Sequence, residues 1–303
     1  MMPVADFAPP SRLLASGGPS TPDQRVLRAL TTPVIGQFDP AFTVVMDEVM
    51  DLARAVLHTS NARCFAISGL ASAGVESVLN TIQDDGECVV FAPDDGRALQ
   101  GLAAHFHNRD RALIVDATRF LGGAELRTDE WGIDAVCAGV DHCLGAPSGM
   151  TLVTYSRALE EKMLARPVAP RTSYLDLLQL QAYWSPERLN HHTAPTSLVY
   201  GLREALRLVV DEGLEERWAR HAGVATLLRD GLAALGLTPQ GGPLVWSVRP
   251  PEAPALRRRL LDEFGVYIGE RPDGAWLIGL LGADARPASA RSVLAALATV
   301  LQA

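Results

Sequence analysis

Lysine is nearly missing from this chain of 303 residues: Lys162 is the only one, and the remaining basic side chains are arginine. Lys162 lies in a charged helical stretch, Arg157 to Met163, and reads as a solvated surface residue. Positive charge is scarce overall, with 27 Lys+Arg against 35 Asp+Glu and a formal net charge of −8. That balance excludes a nucleic-acid backbone as the expected partner, because phosphate binding needs clustered cations. The one basic run, Arg257-Arg258-Arg259, is offset by Asp262 and Glu263 and reads as a solvated helix face. No apolar run reaches the roughly 18–20 residues of a membrane span, and the N-terminus lacks the charged-then-apolar order of a signal peptide. A cytoplasmic protein with no membrane partner is expected. Cysteine is limited to Cys64, Cys88, Cys137 and Cys143, which share no CxxC spacing. Buried free thiols in a reducing compartment fit that pattern better than disulfides. A Cys143 nucleophile beside His142 is the less favoured alternative, since adjacent side chains diverge.

What is present describes an α/β protein. A hydrophobic fraction of 48% is that of an ordinary globular protein, and a length of 303 residues suffices for one large and one smaller domain, placed at residues 1–220 and 221–303. Short apolar runs near 64–67, 87–92, 112–116, 134–138 and 150–155 predict a mostly parallel sheet of about five strands. Pro22 at a first helical position, with Thr21 as cap, predicts a helix after an irregular N-terminal arm. Phe42, Val45, Met46, Val49, Leu52, Ala53 and Val56 recur at helical spacing, so 39–57 reads as an amphipathic helix. A single helix from about Asp95 to Asn108 is expected to bridge the second and third strands. Two long helices over 195–237 lead to alternating strands and helices, a small C-terminal α/β unit.

Residues 131–149 combine a Trp-Gly break, the apolar run Ile133 to Ala138, a polar turn with Asp141 and His142, and a Gly/Pro exit. Ionisable side chains directly after a buried strand sit at its carboxyl end, where open α/β sheets bind ligands. The stretch resembles the active-site lysine segment of class V aminotransferases of fold type I, most closely the alanine–glyoxylate and serine–pyruvate branch. Further segments resemble that family in order: Gly17-Gly18-Pro19-Ser20, Ile67-Ser68-Gly69 through Glu76, Leu113-Ile114-Val115-Asp116 with Leu121-Gly122-Gly123, His191-His192-Thr193-Ala194-Pro195, and Ile278 to Gly282. The resemblance implies an aminotransferase fold with a trimmed sheet. It also implies that Asp116 is the partner of a pyridine nitrogen, and that His191, His192 and Thr193 are lent to a neighbouring subunit's site.

Position 142, where the family has the lysine that binds pyridoxal phosphate, is His142 here, and an imidazole cannot form that Schiff base. Leu70, Ala71 and Ser72 stand where the family's phosphate loop reads Ser-Gly-His, and Leu277 stands where its carboxylate-binding arginine is usual. Only 19 residues separate Ala92 from Ala112, far fewer than the family has there. These departures lead to the expectation of a PLP-independent enzyme with a missing catalytic lysine and no cofactor. In that reading His142, Asp116 and Asp141 perform acid–base chemistry on a small molecule, and Asp116 is the carboxylate that pairs with His142. Ser68, Ser72, His191, His192 and Thr193 complete the substrate site at a homodimer interface. Three alternatives remain at this stage: a non-catalytic partner of a true aminotransferase, a transaminase that holds PLP or PMP noncovalently, and a metal-dependent enzyme using His and carboxylate ligands. No ligand spacing such as HxxxH supports the metal, so no metal residues are assigned.

Overall fold

A computed structural model describes residues 8–82, 88–94, 96–250 and 253–302 of the chain. The larger sheet is built from β2 (Cys64–Ser68), β3 (Cys88–Phe91), β4 (Ala112–Asp116), β5 (Ala135–Gly139) and β6 (Met150–Tyr155), in the order β2-β6-β5-β4-β3. Strands β3, β4 and β5 run parallel, while β6 is antiparallel to both of its neighbours. Every residue of β5 and β6 is buried, which is why β5 is a continuous apolar run and β6 has two threonines in an otherwise hydrophobic run rather than an alternating set. Helices α3 (Ala71–Ile82), α5 (Arg157–Ala165) and α6 (Leu177–Trp184) pack in this part of the chain.

Helix α2 (Pro40–Leu57) packs chiefly on α7 (Thr196–Glu212) and buries Phe42, Met46, Val49, Ala53 and Val56, the expected stripe. Full burial of each larger side chain stabilises the fold by about 1.5–3 kcal/mol. Its N-terminus is closed by the Asp39 carboxylate, which accepts from Ala41 N. Helix α1 (Gln24–Leu30) starts later than Pro22 predicted: Asp23, not Thr21, is the cap and accepts from Arg25 N. The bridge between β3 and β4 is not one helix. Gly101, at φ 73°, separates a 3₁₀ turn, Gly96–Leu99, from the short α4 (Leu102–His107). The expected ends of this bridge and of the preceding strand, Asp95 and Glu87, lie outside the described residues.

A second core surrounds a smaller sheet of order β1-β9-β10-β8-β7, made of β1 (Leu13–Ala15), β7 (Gln240–Gly242), β8 (Val245–Val248), β9 (Val266–Glu270) and β10 (Trp276–Gly279). Helices α8 (Leu214–Ala234), α9 (Ala253–Phe264) and α10 (Pro287–Leu301) accompany it, with Val224, Leu228, Val293 and Leu297 in its core. The N-terminal arm is not irregular where it meets this unit. Leu13 to Ala15 pair in parallel with Val266 to Ile268, so the chain's start is stitched to its end. Gly17 to Ser20 then cross to the larger sheet, where Ser20 N donates to Asp141 O at 2.8 Å. All four cysteines are free and buried. Among the described residues no helix is long and apolar enough to cross a membrane.

Candidate active site

The carboxyl ends of β2, β4 and β5 converge on Gly139. A Cβ added to this glycine would lie 3.1 Å from Thr118 Cγ2, 3.4 Å from Ala71 Cβ and 3.4 Å from Asp141 Oδ1. A side chain there would crowd the start of α3, the turn after β4 and the turn after β5 together. Asp116 ends β4 and folds into a tight Asx-type turn: its Oδ1 accepts from Thr118 N at 3.0 Å and from Thr118 Oγ1 at 2.5 Å. Thr118 Oγ1 in turn accepts from Gly139 N at 2.8 Å, tying the two loops.

His142 Nδ1 lies 3.1 Å from Asp141 Oδ1, the arrangement in which a carboxylate orients an imidazole. With Nδ1–H donating to Asp141, the unprotonated nitrogen is Nε2, packed against Gly18. A Cβ on Gly18 would fall 2.3 Å from Nε2, and its φ of 125° also favours glycine. The hydrogen bond from His142 holds the Asp141 carboxyl below its usual range, with burial opposing. Ser20 Oγ donates to His142 O at 2.6 Å and Gly145 N to the same oxygen at 3.1 Å, so the turn is pinned from two sides.

The expected Asp116–His142 pair is therefore not formed. Each carboxylate serves the group closest in sequence, Thr118 for Asp116 and His142 for Asp141, because local turn geometry satisfies both without bending a loop toward the other. The D-x-T spacing at 116–118 was the signal for this. Cys143 is no nucleophile: it is fully buried, its thiol is pushed up to about 12 by burial, and its Sγ lies 3.6 Å from Arg119 O.

A cavity of about 680 Å³ opens beside His142, walled by Gly17, Gly18, Asp94, Arg119, Val245 and Leu277 among others. Ser72 sits in the first turn of α3, next to the convergence point. Ser68 turns elsewhere. Its Oγ is buried without a hydrogen-bond partner among the described residues, and it borders a small gap shared with His192 and Tyr183. His191 Nε2 lies 2.9 Å from Ser173 O, and its Nδ1 lies 2.9 Å from His192 Nδ1. Donation to that carbonyl leaves His191 Nδ1 as the acceptor of a His192 N–H. Burial, then the neighbouring His191, pushes the His192 pKa down. Within one chain the His191-His192-Thr193 segment does not border the His142 cavity. Among the described residues no cluster of three or more His, Cys, Asp or Glu side chains is placed to hold a metal ion.

Arg119, Thr118 and Ser20 were not foreseen as part of this site. Arg119 carries no motif of its own, and only its position three residues past Asp116 marks it.

Residues 97–243 match the family model described as "Aminotransferase class-V". The chain is 33% identical to the (S)-ureidoglycine–glyoxylate transaminase of Bacillus subtilis, over 98% of this chain and 92% of that protein. The alignment runs over 382 positions, more than the 303 residues present, so that relative has a segment this chain lacks. The chain is also 27% identical to the pyridoxamine–pyruvate transaminase of Mesorhizobium japonicum, over 100% of this chain and 94% of that one. The crystal structure of the Bacillus subtilis ureidoglycine–glyoxylate aminotransferase superposes with a TM-score of 0.92, covering 98% of this chain and 95% of the other.

These matches overturn the cofactor-free reading. The relatives are named as transaminases, one of them a pyridoxamine–pyruvate transaminase, so a PLP-independent acid–base enzyme and a cofactor assignment of none are both withdrawn. Nor do they support an enzyme defined by a missing catalytic lysine, because a histidine-for-lysine replacement at position 142 is not among the things they show. The error came from treating one side chain as decisive when almost the whole chain speaks for the family.

Proposed function

The chain belongs to the class V aminotransferase family, and we propose that it is a transaminase using pyridoxal or pyridoxamine phosphate held by noncovalent contacts, with small 2-oxo acids such as glyoxylate or pyruvate as amino acceptors. The observation that carries this is the 33% identity, over 98% of the chain, to a glyoxylate transaminase. The residues at the converging strand ends fit the cofactor's polar groups. Asp116 keeps Oδ2 without a hydrogen-bond donor among the described residues while Oδ1 is fixed by Thr118, which leaves one carboxylate oxygen for a pyridine N–H. The N-terminus of α3, twelve residues long, offers N–H groups and the Ser72 hydroxyl to a phosphate. Leu70 beside it is 62% exposed and adds no polar contact.

Covalent attachment does not fit. Lys162 borders a separate cleft with Asp134, at the start of β5, whereas His142 lies beyond the end of that strand. When bound, the cofactor supplies the electron sink that lets an amino group leave one carbon skeleton and join another. The chain's part is to hold and move protons: Asp141 keeps His142 in one orientation, Nε2 accepts and returns a proton, and Gly18 and Leu277 limit water beside it. The reading includes a cytoplasmic homodimer in which His191, His192 and Thr193 reach a neighbouring site. Phe38, Val44 and Leu189, each at least half exposed, are the apolar surface a second copy would cover.

The test is amino transfer from pyridoxamine phosphate to glyoxylate by the purified protein. Glycine and pyridoxal phosphate should form in equal amounts. Failure to bind pyridoxamine phosphate at millimolar concentration would sink the reading.

A further inference from the structure

The far wall of the cavity beside His142 includes the apolar side chains Val245 on β8 and Leu277 on β10. A 2-oxo acid brings a carboxylate, and burying that charge against such a wall without a cation is costly. Two arginines border the cavity, Arg119 and Arg271. Arg271 hangs on the turn joining β9 to β10, its Nε 3.5 Å from Asp273 Oδ1. Arg119 is differently placed. It follows the Asp116–Thr118 turn, and its carbonyl lies 3.6 Å from the Sγ of Cys143, the residue next to His142. Its backbone is thus tied to the same turn that carries the imidazole.

The guanidinium of Arg119 is half engaged. Nη1 donates to Asp94 Oδ1 at 2.6 Å, while Nε and Nη2 meet no acceptor among the described residues. Asp94 thereby steadies one arm and leaves the Nε–Nη2 edge, the two parallel donors that take a carboxylate bidentately. Both partners are 64% exposed, so the pair contributes little stability of its own, about 0–1 kcal/mol. The other acidic residue of the cavity wall, Glu270, is taken by Arg257 and does not compete.

We propose that Arg119 is the receptor for the substrate's carboxylate, binding it side-on through Nε and Nη2 while Asp94 holds Nη1. A two- or three-carbon acid bound there occupies the cavity that His142 borders. The inference takes its substrate class from the transaminase reading, and its test does not depend on the cofactor.

Oxalate, an unreactive dicarboxylate, is titrated by calorimetry into cofactor-free wild type and into Arg119→Gln, Arg119→Lys and Arg271→Gln. Wild type should bind. Arg119→Gln should weaken binding at least tenfold, equivalent to about 1.4 kcal/mol, and Arg119→Lys should restore part of it as a point charge without the fork. Arg271→Gln should stay within about twofold. Unchanged affinity in Arg119→Gln, a loss in Arg271→Gln as large as that in Arg119→Gln, or no oxalate binding by wild type would overturn the assignment. Arg119-dependent oxalate binding without amino transfer would uphold Arg119 and remove the transaminase reading. Amino transfer with Arg119→Gln at wild-type oxalate affinity would do the reverse.

Discussion

Strand β5 ends in an Asp–His pair at both extremities. At its start, Asp134 Oδ2 lies 2.7 Å from His107 Nε2; beyond its end, Asp141 Oδ1 lies 3.1 Å from His142 Nδ1. The shorter contact belongs to the end that has no site. His107 is 45% exposed on α4, and Asp134 Oδ2 is already committed to Leu113 N at 2.8 Å, so that pair closes a strand start. His142 and Asp141 are each 20% exposed and sit where three strand ends converge, and His142 borders the cavity of about 680 Å³. What distinguishes a candidate general acid–base from a surface pair is the surroundings: restricted water, a fixed ring and an adjacent helix N-terminus. Hydrogen-bond length alone would have picked the wrong end.

Removing the two imidazoles should break the symmetry most sharply. His142→Ala should lower the rate of amino transfer to glyoxylate by roughly 10²–10⁴, as for loss of a general acid–base. His107→Ala should leave it within about twofold. Equal losses would mean that β5 has no functional end.

The next effect concerns the carboxylate on the neighbouring strand. Asp116→Asn keeps the turn to Thr118 but removes the charge facing a pyridine N–H, and should weaken pyridoxamine phosphate binding by about 10–100-fold, the scale of a charge-assisted hydrogen bond. Equilibrium dialysis of wild type and variant measures this directly, and equal affinities would remove Asp116 from the site.

Much of this was legible in the sequence. The apolar runs of β2 to β6 predicted a five-stranded, mostly parallel sheet with helices on both faces, and the stripe of α2 an amphipathic helix, because burial on both faces leaves an unmistakable composition. Asp141 and His142 were readable as strand-end groups for the same reason. What the sequence concealed was pairing. Asp116 chose Thr118, two residues away, over a histidine 26 positions on, and only the short D-x-T spacing hinted at it. The capture of Leu13 to Ala15 by the small sheet was equally hidden, since a three-residue strand has no periodicity to show. The single lysine, by contrast, was overread.

A subtler contrast lies in the histidines away from β5. His221 is 1% exposed, with Nδ1 2.9 Å from Arg217 O and Nε2 accepting from Gly282 N at 3.1 Å. Burial, reinforced by Arg217, pushes its pKa down to about 3. A base with a depressed folded pKa takes up its proton more readily when unfolded. Its contribution is therefore full above the unfolded value of 6.5 and is lost as pH falls toward 3. Urea unfolding should show stability declining over that window by up to about 1.4 kcal/mol per pH unit from this proton, and His221→Asn should flatten the decline. The same slope in the variant would contradict the assignment.

The smallest expected effect is at the start of β5. Lys162→Met should change pyridoxamine phosphate affinity and turnover by less than about twofold, as for a surface substitution away from a site. A large loss would show that the one amine in the chain reaches the cofactor after all.

The central claim is a transaminase that holds its cofactor without a covalent bond. It is tested most directly by loading the protein with pyridoxamine phosphate, adding glyoxylate, and following glycine and pyridoxal phosphate while the protein is dialysed under native conditions. The account predicts glycine formed in proportion to pyridoxamine phosphate consumed, and pyridoxal phosphate released in full to the dialysate. No glycine, or pyridoxal phosphate retained on Lys162 after borohydride reduction, would contradict it.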